Sequence, residues 1–295
     1  MNFQNLKVVV IGDFMIDHYV MGDSFRMSPE APVPVVLPKK EYSCPGGAGN
    51  VAMNLSSLGA EVHCIGVVGD DFFGLELMKI LENEGIYTKH IKKIKNHITT
   101  LKQRIYSNGE QVARIDKEKI KDFKLNFKKM NLEKYDACII SDYNKGVIKS
   151  IDINTKLLIV DPKKEDFSKY KGANIITPNL AELQKASTLP ISDEKSIVLA
   201  CSNLIKKNGF DFIVAKRGEN GVTVVGRDKF FKHISTKAVS NADVTGAGDT
   251  VIAVLSLVYA KTNDILLSAK IANAAAGTVV SKKGTNIVKI SEINF

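Results

Sequence analysis

No apolar run in this sequence approaches the roughly 20 residues that a bilayer-spanning helix needs. The first ten residues, MNFQNLKVVV, also lack the basic start and long apolar core of a secretory signal. The expected setting is therefore cytoplasmic, with no membrane partner. Cysteine is scarce and scattered: Cys44, Cys64, Cys138 and Cys201 form no C-x-x-C pair and no zinc-ligand spacing, which suits buried, reduced thiols. The five histidines, His18, His63, His90, His97 and His233, show no metal-ligand spacing either. No Gly-Lys dipeptide occurs, which excludes a Walker A loop, and the H-R-D and D-F-G signatures of protein kinases are missing. Compact basic blocks are absent too. The formal charge is +9, but the lysines are spread out and mixed with acids, as in DKEKIKD (116–122). With no basic-aromatic block, zinc finger or RNP pattern, no nucleic-acid partner is expected. A general attraction for small anionic substrates remains.

What is present is an alternation of short apolar runs with helical patterns. LKVVVIGD (6–13), VHCIGVVGD (62–70), ACIISD (137–142), LLIVDP (157–162), NIITPN (174–179) and FIVAKRG (212–218) read as buried strands. GNVAMNLSSLG (49–59) and FGLELMKILENEG (73–85) read as helices stopped by glycine. Such alternation predicts an α/β fold, a parallel sheet covered on both faces, with ligands beyond the carboxyl ends of its strands. Asp13, Asp70, Asp142, Asp161, Asn179 and Lys216 all fall at those ends. Residues 1–295 are expected to form a single domain.

Two stretches break the rhythm. RMSPEAPVPVVLPKKEYSCPGG (26–47) carries five prolines, which belong on a sheet edge. TTLKQRIYSNGEQVARID (99–116) alternates around Asn108-Gly109, a strong hairpin signal. Together, residues of about 14–45 and 97–117 are predicted to form a small antiparallel sheet standing off the main body as a lid. Ile98, Leu101, Ile105, Val112, Ile115, Val33 and Val35 could supply it with an apolar face.

The segment NADVTGAGDTVIA (241–253) raises the question of chemistry. Gly246 and Gly248 free the backbone to turn its N–H groups toward one point. DTVIAVLSLVYA then reads as a helix whose N-terminus carries partial positive charge, so loop and helix start together form an anion site. Asp249 beside an anion makes sense as a base that takes a proton from a hydroxyl attacking a phosphoryl group, with the amides of Gly246, Ala247 and Gly248 stabilising the charge that develops. The pattern alone admits equally an aspartate capping a helix after a glycine turn. GGAGNVA (46–52) contains G-x-G-x-x-A, but a proline precedes it and the first strand is followed by no glycine triplet, which speaks against a dinucleotide fold.

CPGGAGNVAMNLSSLGA and DVTGAGDTVIA, in that order and about two hundred residues apart, resemble the two signatures of the ribokinase-like (PfkB) carbohydrate kinases. TPNLAEL (177–183), KRGENG (216–221) and ANAAAGTVVSKKGT (272–285) extend the match over nearly the whole chain. Residues 12–36 and 161–179 resemble one branch more closely, the D-glycero-D-manno-heptose 7-phosphate kinases, and the length suits a stand-alone kinase rather than a fusion with a nucleotidyltransferase. The resemblance implies a three-layer αβα fold with a mainly parallel central sheet and a small β-sheet lid. It also implies ATP and Mg²⁺ as cofactors, with room for a monovalent cation, and a homodimer formed through the lids.

The roles it implies are as follows. Asp249 is the catalytic base, and Gly246, Ala247 and Gly248 form the anion hole, with Asp243 shaping the loop and its cation environment. Asp17, Gly46, Gly47 and Asn50 match sugar-binding positions, where carboxylate and amide groups meet hydroxyls and paired glycines admit close approach. Asn179 and Glu182 match an N-x-x-E motif that organises Mg²⁺ and phosphate through water, although a helix cap has the same spacing. Lys216 and Gly218 match the loop over the ATP phosphates, and Asn273 the segment beside adenine. A sugar phosphate would need a cationic receptor, for which Lys163 and Arg104 are candidates, each equally readable as a surface lysine or a cross-strand pair. The competing functional readings are a ribokinase-like kinase for another sugar or sugar phosphate and a catalytically silent sugar or nucleotide sensor; an intact Asp249 counts against the sensor.

Overall fold

The computed structural model describes residues 1–293 except 124, 128, 129, 229, 237–241 and 283. Asn241 of the glycine motif and Lys283 of the 272–285 stretch lie outside the described residues.

The six apolar runs all become strands, because their β-branched side chains can be buried on both faces at once. They are β1 (Lys7–Met27), β3 (Glu61–Gly69), β7 (Ala137–Ser141), β8 (Leu158–Asp161), β9 (Ile175–Ile176) and β10 (Phe212–Lys216). With β4 (Tyr87–Ile94), β11 (Val222–Gly226) and β12 (Phe231–Ile234) they form the order β12-β11-β10-β9-β8-β7-β1-β3-β4. From β10 to β4 every pairing is parallel; β11 and β12 add an antiparallel edge. Alternation along β1 shows the two-sided burial. Val8 and Val10 join one core with helices α1 (Ala48–Ser57), α2 (Phe72–Asn83), α5 (Ala247–Thr262) and α6 (Ile265–Val279). Val9 and Ile11 join a second core on the opposite face, with α3 (Leu180–Ser187) and α4 (Glu194–Asn208). The result is the expected three-layer αβα arrangement. All four cysteines are free, and Cys64, Cys138 and Cys201 are buried. Among the described residues no helix is long and apolar enough to cross a membrane.

The lid differs from expectation in two respects. It does not stand apart: β1 runs on past the central sheet, and its second half, from Phe14, pairs with β2 (Pro34–Gly47). Nor is it wholly antiparallel, since β1 pairs in parallel with β5 (Thr100–Ser107), which then pairs antiparallel with β6 (Glu110–Lys117). The chain reaches β5 only after crossing α1, β3, α2 and β4, so it re-enters in the direction of β1. The register places Asp17 and Tyr19 of β1, Lys102, Arg104 and Tyr106 of β5, and Arg114 and Asp116 of β6 on one face. Ile105 and Ile115 lie on the other. Leu101 was expected on the exposed apolar face but is buried in the main core with Phe14 and Ile16.

Candidate active site

Helix α5 is apolar on all sides and buried from Asp249 to Val258, so its position against the sheet is fixed by packing. Its N-cap, Gly246, has φ +78°, and no side chain caps the helix. The first-turn amides are thus left open to an anion. Asp249 in that first turn is 4% exposed. Asn50 Nδ2, from the first turn of α1, donates to its Oδ2 at 2.8 Å, and the Tyr143 hydroxyl donates to its Oδ1 at 2.9 Å. Burial raises the Asp249 carboxyl to about 7, and Asp161 nearby adds to the rise, while the bonds from Asn50 and Tyr143 and the charge of Lys216 oppose it. A carboxylate poised near neutrality, aimed by two donors and set at an anion site, has the properties of a general base. Asp243 accepts from the amides of Thr245 (3.0 Å) and Gly284 (2.7 Å), which fastens the glycine loop to the segment after α6.

A cavity of about 640 Å³ opens in front of these amides, lined among others by Asp161, Asn179, Lys216, Gly218, Asp249 and Asn273. Lys216, the last residue of β10, pairs with Asp161 at the end of β8, and a methyl group on Gly248 would come within 3.3 Å of its ammonium. The lysine therefore stands beside the anion loop. Asn179 and Glu182 form a capping box on α3, Asn179 accepting from the Glu182 amide at 2.8 Å and Glu182 from the Asn179 amide at 2.9 Å. The capping reading of that motif is realised, and both residues still line the cavity. Lys163 binds the second oxygen of Glu182 at 3.1 Å, which places it on this wall rather than beside Arg104. Gly218 has φ +61° over open space, and Asn273 donates to the Ser235 carbonyl at 3.0 Å.

The sugar-side residues meet under the lid. Asp17, 5% exposed, accepts from Arg104 Nη1 at 2.6 Å and from the Thr285 hydroxyl at 3.2 Å. A Cβ on Gly46 would lie 2.5 Å from Asp17 Oδ2, so only glycine lets the backbone approach this carboxylate. Gly47, at φ +55°, turns the chain into α1 so that Asn50 faces Asp249. Asn50, carried over as a sugar ligand, is thereby also a ligand of the base. Sequence reasoning overlooked three residues. Tyr143 follows the strand-end Asp142 and could have been sought there. Asp161 had been noted at its strand end but given no role, and Thr285 left no sequence signal of its contact with Asp17.

Residues 5–292 match the pfkB family carbohydrate kinases. The bifunctional protein HldE of Mesorhizobium japonicum is 39% identical over 99% of this chain, and that of Aliarcobacter butzleri 41% over 97%. The HldE of Helicobacter pylori strain J99 is 40% identical over 97%. The chain spans 62%, 63% and 65% of the length of these three relatives. Among solved structures, Arabidopsis thaliana ribokinase complexed with ribose and ATP superposes with a TM-score of 0.75 at 19% identity, covering 99% of this chain and 96% of that one. Thermotoga maritima ribokinase gives 0.74 at 19%, covering 98% of both. The fold is ribokinase-like, and the chain belongs to the pfkB family of carbohydrate kinases, ATP-dependent sugar kinases.

Proposed function

We propose that this protein transfers the terminal phosphoryl group of ATP to O1 of D-glycero-D-manno-heptose 7-phosphate. The product, heptose 1,7-bisphosphate, would feed ADP- or GDP-heptose precursors of surface polysaccharide in the cytoplasm. The observation that carries the chemistry is Asp249, buried, held near neutrality and fixed by Asn50 and Tyr143 at the open amides of α5. The choice of heptose rests on the branch resemblance of residues 12–36 and 161–179, and the similarity to HldE proteins supports it.

Asp17 and the close backbone of Gly46 would orient the sugar so that its O1 hydroxyl faces Asp249. Asp249 would take the hydroxyl proton as the oxygen attacks, while the amides of Gly246, Ala247 and Gly248 receive the charge on the transferred group. Lys216 beside Gly248 adds a fixed positive charge there. ATP would lie along the cavity, its phosphates at the glycine loop and Gly218 and its base toward Asn273. Glu182, whose two carboxylate oxygens already accept from the Asn179 amide and from Lys163, would hold a magnesium ion only through water on its remaining lone pairs, and the ion would supply charge neutralisation on the phosphates. Asp243 has both oxygens engaged by amides, so its work is to hold the loop. Two copies would pair through the outer faces of their lids.

Asp249→Asn keeps the shape of the side chain and removes the base. The variant should fold and bind ATP while kcat falls about 10²- to 10⁴-fold. Near-normal turnover would exclude Asp249 as the base.

A further inference from the structure

The site-facing side of the lid carries more positive charge than the sugar carboxylate balances. On β5, Lys102 and Arg104 point to this side, and their direct partners across the antiparallel pair are Asp116 and Arg114. Two arginines directly opposite one another repel, yet the register places Arg104 and Arg114 so. Arg104 is committed to Asp17. Arg114 grips Asp116 through two bonds of 2.7 and 2.6 Å, on the more open part of the face. Lys102 has no ion-pair partner within reach among the described residues. Its ammonium lies 5.2 Å from the ring centre of Tyr143. Burial lowers the lysine below its usual range; Asp17 and, more weakly, Asp116 oppose this, and Arg114 and Arg104 add to it. Three cations thus converge on two carboxylates, with one cation unmatched and half-buried. Such a cluster is costly by itself and becomes favourable around an anion. The ring beneath Lys102 belongs to the tyrosine whose hydroxyl binds Asp249, so the unmatched ammonium stands one tyrosine ring from the base.

We infer that Lys102 and Arg114, completed by Arg104, form a receptor for a phosphate dianion at the far end of the sugar whose near hydroxyl Asp249 deprotonates. The inference rests on the kinase reading and deepens it, because it assigns the group that distinguishes a sugar phosphate from a free sugar. Arg114 would exchange part of its hold on Asp116 for the phosphate, where its planar fork binds two oxygens at once. Lys102 would supply the point charge. Lys163, put forward from sequence for the same task, is engaged by Glu182 on the nucleotide side.

Titration calorimetry without nucleotide tests this, using D-glycero-D-manno-heptose 7-phosphate and the free heptose as probes. The wild type should bind the phosphorylated sugar at least about 10-fold more tightly than the free one, the contribution expected of hydrogen bonds to a charged group. In the Lys102→Met/Arg114→Gln double variant that preference should vanish while affinity for the free sugar stays within about 2-fold, which also reports an intact fold. Indifference of the wild type to the phosphate, a preserved preference in the variant, or equal loss for both sugars would each overturn the receptor. ADP release by the wild type, measured separately, decides the kinase reading without deciding this one.

Discussion

At the scale of single residues, the site is organised around the cost of keeping Asp249 charged. Its folded pKa of about 7 lies above the unfolded value, so the native state binds the extra proton between about pH 4 and 7. Stability associated with this group is therefore full at low pH and is lost as pH rises toward 7. The kinetic consequence has the same origin: kcat/KM should climb as pH rises through about 7, where the base ionises. Tyr143 donates to the carboxylate and favours its charged form. Tyr143→Phe should therefore shift the acid limb of the profile upward by about one pH unit, a charge-assisted bond being worth about 1.5 kcal/mol. A profile that drops in height without moving would assign Tyr143 a purely structural role. Sequence reasoning could find Asp249, because an aspartate after two glycines carries a local chemical meaning. It had a place to look for Tyr143, next to the strand-end Asp142, but no sign that its hydroxyl meets a residue 106 positions away, nor of the pairing of Asn50 with Asp249 across 199. Contacts of that kind are created by the fold.

At the scale of elements, the two glycines of the anion loop make different demands. Gly246 has φ +78°, and a Cβ there would lie 2.7 Å from Asn50 Nδ2. Gly246→Ala should cost about 1–2 kcal/mol in backbone strain alone and also push Asn50 off the base. Gly248 lies inside the helix at an ordinary φ, where the new methyl group would meet the Lys216 ammonium at 3.3 Å and Asp161 Oδ2 at 4.0 Å. Gly248→Ala should leave the melting temperature near that of the wild type and instead weaken ATP binding and turnover. Thermal melts beside steady-state kinetics separate the two; equal destabilisation by both substitutions would contradict this division. Elements with strong patterns were legible, and their ends were less so. β1 was expected to stop at Gly12-Asp13 because that pair looks like a strand end, but apolar Phe14, Met15 and Ile16 follow at once and the strand passes on into the lid. Asp13 is accommodated there by accepting from the amides of Tyr143, Lys145 and Val147. The N-x-x-E motif stayed ambiguous because a capping box and a phosphate-side motif share one spacing, and here a single pair of residues both caps α3 and lines the cavity.

At the scale of the molecule, the three-layer body followed from strand and helix alternation, whereas the lid pairing did not, since hairpin signals say nothing of a parallel partner reached only after five intervening elements. The lid leaves apolar side chains in water: Phe25 is 79% exposed and Val33 51%, and Ile115 is also exposed, with Ile105 half-buried behind it. A sheet this small with exposed apolar surface gains from a partner. Light scattering at micromolar concentration should give a dimer mass, and charged residues at Val33 and Ile105 should shift it toward the monomer. A monomer in the wild type would refute pairing through the lids. The central claim, that Asp249 and the α5 amides serve phosphoryl transfer to a heptose phosphate, is tested most directly by ADP release across a panel of hexose, pentose and heptose phosphates, with the product mass read for each. The highest kcat/KM should fall on D-glycero-D-manno-heptose 7-phosphate, with a product one phosphoryl group heavier. ADP release with none of these sugars, or a clear preference for a pentose or hexose phosphate, would contradict it.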